Sequence, residues 1–233
     1  SFFRKPVFTP DGKAIIALRS SIYDRAQHYN EINEERPYRQ EVVRLPAKGG
    51  QATLLAQLPV RKVLAEHFMS DWGRPHFTED TEQVFVYTHS GLIAVPLGDG
   101  HVRKIIQVDV PSLLYPGKKM PVEQLQLSPD GKWLLVLENG QLYVLAMART
   151  DNSNYTVDLL SPGVTHAQIT DIGADFFAWA DEGQTITWSI GSTFYRMPFS
   201  DELFKPTSDK QPGVTQDDLK GVAMVVEQPR DIP

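Results

Sequence analysis

Leu127-Ser128-Pro129-Asp130-Gly131-Lys132-Trp133, continued by the apolar run Leu134-Leu135-Val136-Leu137, is the stretch on which the fold turns. Proline presets φ for the second position of a turn, serine at the first can bond its own backbone, and glycine suits the fourth. Such a turn reverses one strand into the next. The strand it feeds leads to Glu138-Asn139-Gly140, a tight-hairpin signal, and then to a second strand over Gln141–Ala146.

The pattern recurs. Phe8-Thr9-Pro10-Asp11-Gly12 precedes Ala14–Leu18, and Phe77-Thr78-Glu79-Asp80-Thr81 precedes Val84–Tyr87. Trp179-Ala180-Asp181-Glu182-Gly183 precedes Thr185–Trp188. The copies start at residues 8, 77, 127 and 179, so they lie 69, 50 and 52 residues apart. A four-stranded propeller blade takes roughly 40–50 residues, so the last two intervals fit and the first needs an insertion. One such turn is commonplace; four, each leading into a β-rich apolar run, are not.

The expected fold is therefore all-β: a partial or small β-propeller of about four blades of four-stranded antiparallel sheets. The blades are expected at 4–56, 73–108, 122–160 and 175–199, within a unit spanning 1–204. Gln40–Leu45 and Thr53–Leu55 complete the first blade, and Leu92–Pro96 and Val102–Val108 the second. Tyr155–Leu160 is expected as the outer strand of the third. Thr193–Phe199 belongs to the fourth. Residues 205–233 read as a polar linker with a closing strand over Gly221–Glu227.

The extra length of the first repeat lies in Arg19–Arg39, a charged, unpatterned loop between its second and third strands. Structureless loops of this length are usually functional or disordered. Its candidate contact residues are Arg19, Tyr23, Tyr29, Glu34, Arg36 and Tyr38.

Composition bounds the function. The 233 residues are 41% hydrophobic and 22% charged, ordinary values for a chain with a packed core. A net charge of −6 argues against a nucleic-acid partner, which needs clustered Lys and Arg. No apolar run is long enough to span a bilayer. The absence of cysteine excludes disulfides, thiolate metal sites and a cysteine nucleophile. Both ends are expected to be cut boundaries, so a leader on a longer parent would not be visible.

The chain offers no catalytic motif. His28, His67, His76, His89, His101 and His166 show no His-x-His, i/i+3 or i/i+4 spacing and read as surface or loop residues. There is no Gly-x-Ser-x-Gly elbow and no complete phosphate-binding loop. Asp11, Asp80, Asp130 and Asp181 supply one acid per repeat, which does not build an oxygen cage for calcium. Asn154-Tyr155-Thr156 matches a glycosylation acceptor by accident, and Trp72, Trp133, Trp179 and Trp188 read as packing residues. No catalytic residue, metal ligand or cofactor is expected within this chain.

The repeats resemble those of TolB-like propellers, in which an aromatic residue or leucine, then Ser, Pro, Asp and Gly, opens a strand and a Tyr-Val strand follows. Leu127–Trp133 with Leu142-Tyr143-Val144 matches best, and the resemblance covers residues 4–199. Glu79 and Thr81 in the second copy, and Asp181 in the fourth, depart from it. The tail Val225-Val226-Glu227-Gln228-Pro229-Arg230-Asp231-Ile232-Pro233 is similar to the junction where such a propeller precedes a metal-dependent amidohydrolase barrel in large exported bacterial proteins. Gly183–Arg196 is similar to the last propeller repeat of those proteins.

The resemblance implies a non-catalytic module of a larger periplasmic or secreted hydrolase, serving structural, substrate-gating or interaction roles. The catalytic metal site would then lie in a C-terminal domain beyond Pro233. The alternatives are a stand-alone TolB-like interaction scaffold and the propeller of a prolyl-oligopeptidase-type serine peptidase. The partners expected are that C-terminal domain and, through blade faces left exposed by an incomplete ring, further copies of the chain.

Overall fold

The computed structural model describes residues 2–21, 40–58, 73–88, 90–112, 115–148 and 154–204, with the backbone of 222–223. They form four small sheets. The first holds β1 (Phe2–Phe8), β2 (Ala14–Ser20), β3 (Gln40–Pro46) and β4 (Thr53–Gln57) in chain order. The second is built on β5 (Gln83–Thr88), β6 (Gly91–Pro96) and β7 (Arg103–Pro111), with β8 (Lys119–Pro121) paired to the end of β7. The third contains β9 (Gln124–Leu127), β10 (Trp133–Glu138) and β11 (Gln141–Ala146). The fourth runs β14 (Phe176–Ala180), β15 (Thr185–Ile190), β16 (Thr193–Pro198) and β17 (Val222–Ala223). In the second sheet the inner strand is reduced to one bridge between His76 and Phe85, flanked by the Gly73 N–H to Tyr87 carbonyl bond.

The turns between first and second strands behave as their residues require. Ser128 donates its hydroxyl to Asp130 (2.6 Å) and accepts the Trp133 N–H (2.9 Å), while Asp130 accepts the Lys132 N–H (3.1 Å). Thr9, Asp11, Lys13 and Ala14 repeat the same bonds in the first blade. Gly131 sits at φ 70°, where a Cβ is disfavoured. Where the fourth copy lacks proline, the turn becomes a 3-10 helix over Asp181–Gly183, with Asp181 at φ 50° and Glu182 at φ 56°.

One strand lies elsewhere than expected. Tyr155–Asp158 (β12) does not complete the third sheet; it runs parallel to β7 on the outer edge of the second. The third sheet is completed instead by β13 (His166–Gln168), antiparallel to β11. The reason is burial. Val157 and Leu159, 6% and 4% exposed, enter the core between the second and third blades, and the Leu159 N–H bonds the Asp109 carbonyl. The chain thus crosses back to cover an open edge of the preceding blade before returning to its own, and this parallel pair departs from the all-antiparallel expectation.

Three cores join the four sheets. Ile16, Leu18 and Val42 of the first blade meet Val84, Val86, Ile93 and Val95 of the second. Phe85, Leu92, Ile106 and Val108 of the second meet Leu125, Leu127, Leu134 and Val136 of the third. Leu135, Leu137, Leu142 and Val144 of the third meet Ile186, Trp188, Tyr195 and Met197 of the fourth. Successive strand residues point to opposite faces, so a blade buried on both sides needs an unbroken apolar strand. β5 and β10 meet this: Val84 and Val86 face one way and Phe85 the other, as do Leu134 and Val136 against Leu135 and Leu137.

Each terminal blade turns one face away from the other blades. The face of the fourth blade turned away from the third carries Thr185, Thr187, Ser189 and Arg196 together with Phe194 and the 77% exposed Phe176. The corresponding face of the first blade carries Ile15, Leu45 and the buried Ala17 and Val43 beside the Arg19–Glu41 ion pair. Cross-strand partners share a face, so Phe8 lies beside Ile15 and Leu45, and Leu54 beside Val43 and Ala17. Phe8 is 62% exposed and Leu54 45%. Among the described residues no fourth core joins the last blade to the first. Beyond β16 the 3-10 turn Asp201–Phe204 folds back, stacking Phe204 on Trp133 with ring centroids 4.9 Å apart.

Candidate functional site

Of the expected loop residues, only Arg19 falls within the described part of the chain. It stands in β2 rather than in the loop, and its Nε donates to Glu41 across the strand pair at 2.7 Å. Tyr23, Tyr29, Glu34, Arg36 and Tyr38 lie outside the described residues. Trp72 and the histidines His28, His67 and His89 do so as well.

His76 overturns its reading as a surface histidine. It is 7% exposed, wedged between the second and third blades and stacked on Phe85. Its Nε2 accepts the Leu127 N–H at 3.0 Å, which fixes the proton on Nδ1, 3.2 Å from the Arg74 carbonyl. Burial holds the imidazole down at about 4, so the ring is neutral at physiological pH. The Tyr87 hydroxyl donates to the Val122 carbonyl and the Glu79 N–H to the Pro129 carbonyl across the same seam. These groups clasp two blades rather than perform chemistry. Sequence spacing did not reveal this, because the partner of His76 is a backbone amide 51 residues away.

The repeated acids are spent on their turns. The Thr9 hydroxyl, then the Lys13 N–H, hold the Asp11 carboxyl below its ordinary range. Partial burial pushes Asp130 up, but the Ser128 hydroxyl and Lys132 N–H outweigh it and the net shift is downward. The Thr185 hydroxyl lowers Asp181, with Arg196 as a further cause. Among the described residues no three His, Asp or Glu side chains gather as metal ligands. No helix there is long and apolar enough to cross a membrane.

Two places depart from ordinary surface. The first is the opposite end of the second seam, where burial, and then the nearby Glu123 carboxylate, push Glu138 up to about 7. Glu138 accepts the Glu123 N–H at 3.2 Å. The second is a pair of adjoining clefts between the first and second blades, at their turn end. The larger, about 490 Å³, is lined by Thr9, Asp11, Arg44, Thr81, Glu82 and Gly98 among others. The smaller, about 310 Å³, is lined by Lys13, Pro46, Thr53 and Leu55. Arg44 and Leu97 border both.

Four small sheets of four or five strands stacked face to face define the class: the chain is a run of four β-propeller blades. No family model matches the chain, and no curated protein matches it. Solved structures of this architecture do. A 6-phosphogluconolactonase-like protein of Bacteroides fragilis aligns over 89% of this chain and 53% of its own, at 14% identity and a TM-score of 0.46. An oligogalacturonate lyase in complex with manganese aligns over 83% and 49%, at 11% identity and 0.47. The Cps50 (Swd1) β-propeller domain of Myceliophteria thermophila aligns over 82% and 54%, at 11% identity and 0.42. The chain spans about half the length of these structures, and identities this low carry over neither activity nor ligand.

Proposed function

We propose that this chain is a non-catalytic propeller module of a larger exported bacterial hydrolase, of the TolB-like kind that accompanies a metal-dependent amidohydrolase barrel. Its role is structural: it presents a rigid surface that docks on other domains or on a second copy of itself, in the periplasm or outside the cell. The single observation behind this reading is that, among the described residues, three inter-blade cores join four blades. On the outward face of the first blade, Phe8 and Leu54 stand exposed beside the buried Ala17 and Val43, an apolar area that a docking partner can cover. The engagement of the repeated acids in their own turns agrees with a module that leaves chemistry to another domain.

Two measurements test it. Light scattering on the 233-residue chain is expected to give a dimer or larger species that Phe8→Asp with Leu54→Asp returns to monomer. A wild-type monomer at high concentration sinks the docking face. The coding sequence after Pro233 decides the parent. A barrel opening with His-x-His supports the hydrolase reading. A Gly-x-Ser-x-Gly domain replaces it with a serine peptidase, and a stop codon with a stand-alone scaffold.

A further inference from the structure

We infer that the cleft between the first and second blades binds a small hydroxy acid, its carboxylate held by Arg44 and its hydroxyls by Glu82 and Thr81. The argument begins with Arg44. Its guanidinium carries five N–H donors in a planar fork whose geometry matches a carboxylate. Arg44 is half-buried in β3 and, among the described residues, forms no hydrogen bond or ion pair. Asp11, one of the two acids lining this cleft, is committed elsewhere. Its Oδ1 takes the Thr9 hydroxyl and the Lys13 N–H, and its Oδ2 faces the Lys13 ammonium at 3.6 Å.

Glu82 lines the same cleft with its carboxylate equally unengaged; only its backbone is bonded, its N–H to Asp80 and its carbonyl to the Leu97 N–H. Two opposite charges thus border one cavity without pairing with each other. A ligand that fits must present an acceptor to the first and donors to the second. A carboxylate matches the arginine fork bidentately. Hydroxyls supply donors to Glu82 and to the exposed Thr81. Leu97, between the two lobes, gives the carbon chain an apolar wall. The larger lobe, at about 490 Å³, lies within the size range of small-molecule sites.

Gluconate, sorbitol and hexanoate separate the parts of this claim. The first has both carboxylate and hydroxyls, the second hydroxyls alone and the third a carboxylate alone. Each is titrated into the 15N-labelled chain while the Arg44 Nε–H resonance, assigned by its loss in Arg44→Lys, is followed by NMR. Gluconate is expected to shift it saturably, with sorbitol and hexanoate binding about tenfold or more weakly. Glu82→Gln should weaken gluconate by about tenfold and leave hexanoate unchanged. Arg44→Lys keeps the charge but loses the fork, so gluconate shifts of the surrounding backbone amides should vanish in it too. Unchanged amide dispersion and melting temperature in each variant establish that it is folded. No saturable gluconate shift, sorbitol binding as tightly as gluconate, or gluconate binding undiminished in Arg44→Lys would each overturn the assignment.

Discussion

Replacing His76 with glutamine should remove much of the acid sensitivity of this fold. In the folded chain Nε2 must stay unprotonated to accept the Leu127 N–H; a proton there would set two donors against each other. Burial depresses the folded value to about 4 from the ordinary 6.5. The unfolded chain therefore binds the proton first, and stability rises with pH across this window. The contribution is fully present above pH 6.5 and is lost as pH falls toward 4. A separation of about 2.5 units corresponds to roughly 3 kcal/mol at the acid end. Glutamine offers an amide oxygen at a comparable reach to accept the Leu127 N–H, and it does not titrate. Urea unfolding followed by tryptophan fluorescence, from pH 7.5 to pH 4, is the assay. The wild type should lose stability relative to the variant by roughly that amount. His76→Phe is the companion. It also does not titrate, but it leaves a buried N–H unpaired, costing about 1–3 kcal/mol at every pH. If wild type and His76→Gln give parallel profiles, His76 does not hold the seam as a neutral acceptor.

At the other end of that seam the sign reverses. Glu138 is raised to about 7, so its stabilising, protonated state is fully present below about 4.5 and is lost as pH rises through 7. Because Glu138 is partly exposed, the effect is discounted to about 1–2 kcal/mol, and Glu138→Gln should gain that much over wild type at pH 8 and little at pH 5; equal gains at both values would refute it. Ser128→Ala removes the acceptor for the Trp133 N–H and should lower stability by about 1 kcal/mol in urea, whereas Ser128→Thr, the residue found at the equivalent position 9, should restore it. Gly91→Ala should be more damaging. Its φ is 107°, and an added Cβ would stand 2.5 Å from the Ile106 carbonyl oxygen, so β6 and β7 must separate. A loss above about 2 kcal/mol is expected, and a neutral melting temperature would show that the strand pair yields easily.

The blade repeat was legible because its signals are local. The Ser-Pro-Asp-Gly turn closes its bonds within six residues, and the apolar runs of β5 and β10 announce burial on both faces. Period-two alternation also shows within β15, where Thr185, Thr187 and Ser189 alternate with the buried Ile186 and Trp188. Illegible were the features that depend on what distant segments do to one another. Tyr155–Asp158 has the composition of any outer strand; only the open edge of β7 and the core vacancy filled by Val157 decide which blade receives it. His76 looked like a loop histidine because its partner is a main-chain N–H, which has no sequence signature. Arg44 sits in an ordinary strand pattern, Gln40–Pro46, and becomes notable only when the turn of its own blade proves to have consumed Asp11. The division has a physical cause. Turn chemistry and alternation are written within a few residues, whereas inter-blade seams and the clefts beside them come from which charges and edges remain unsatisfied after the blades have stacked. The cleft between the first two blades belongs to that remainder: Asp11 is consumed by its own turn, and Arg44 and Glu82 are left bordering the cavity.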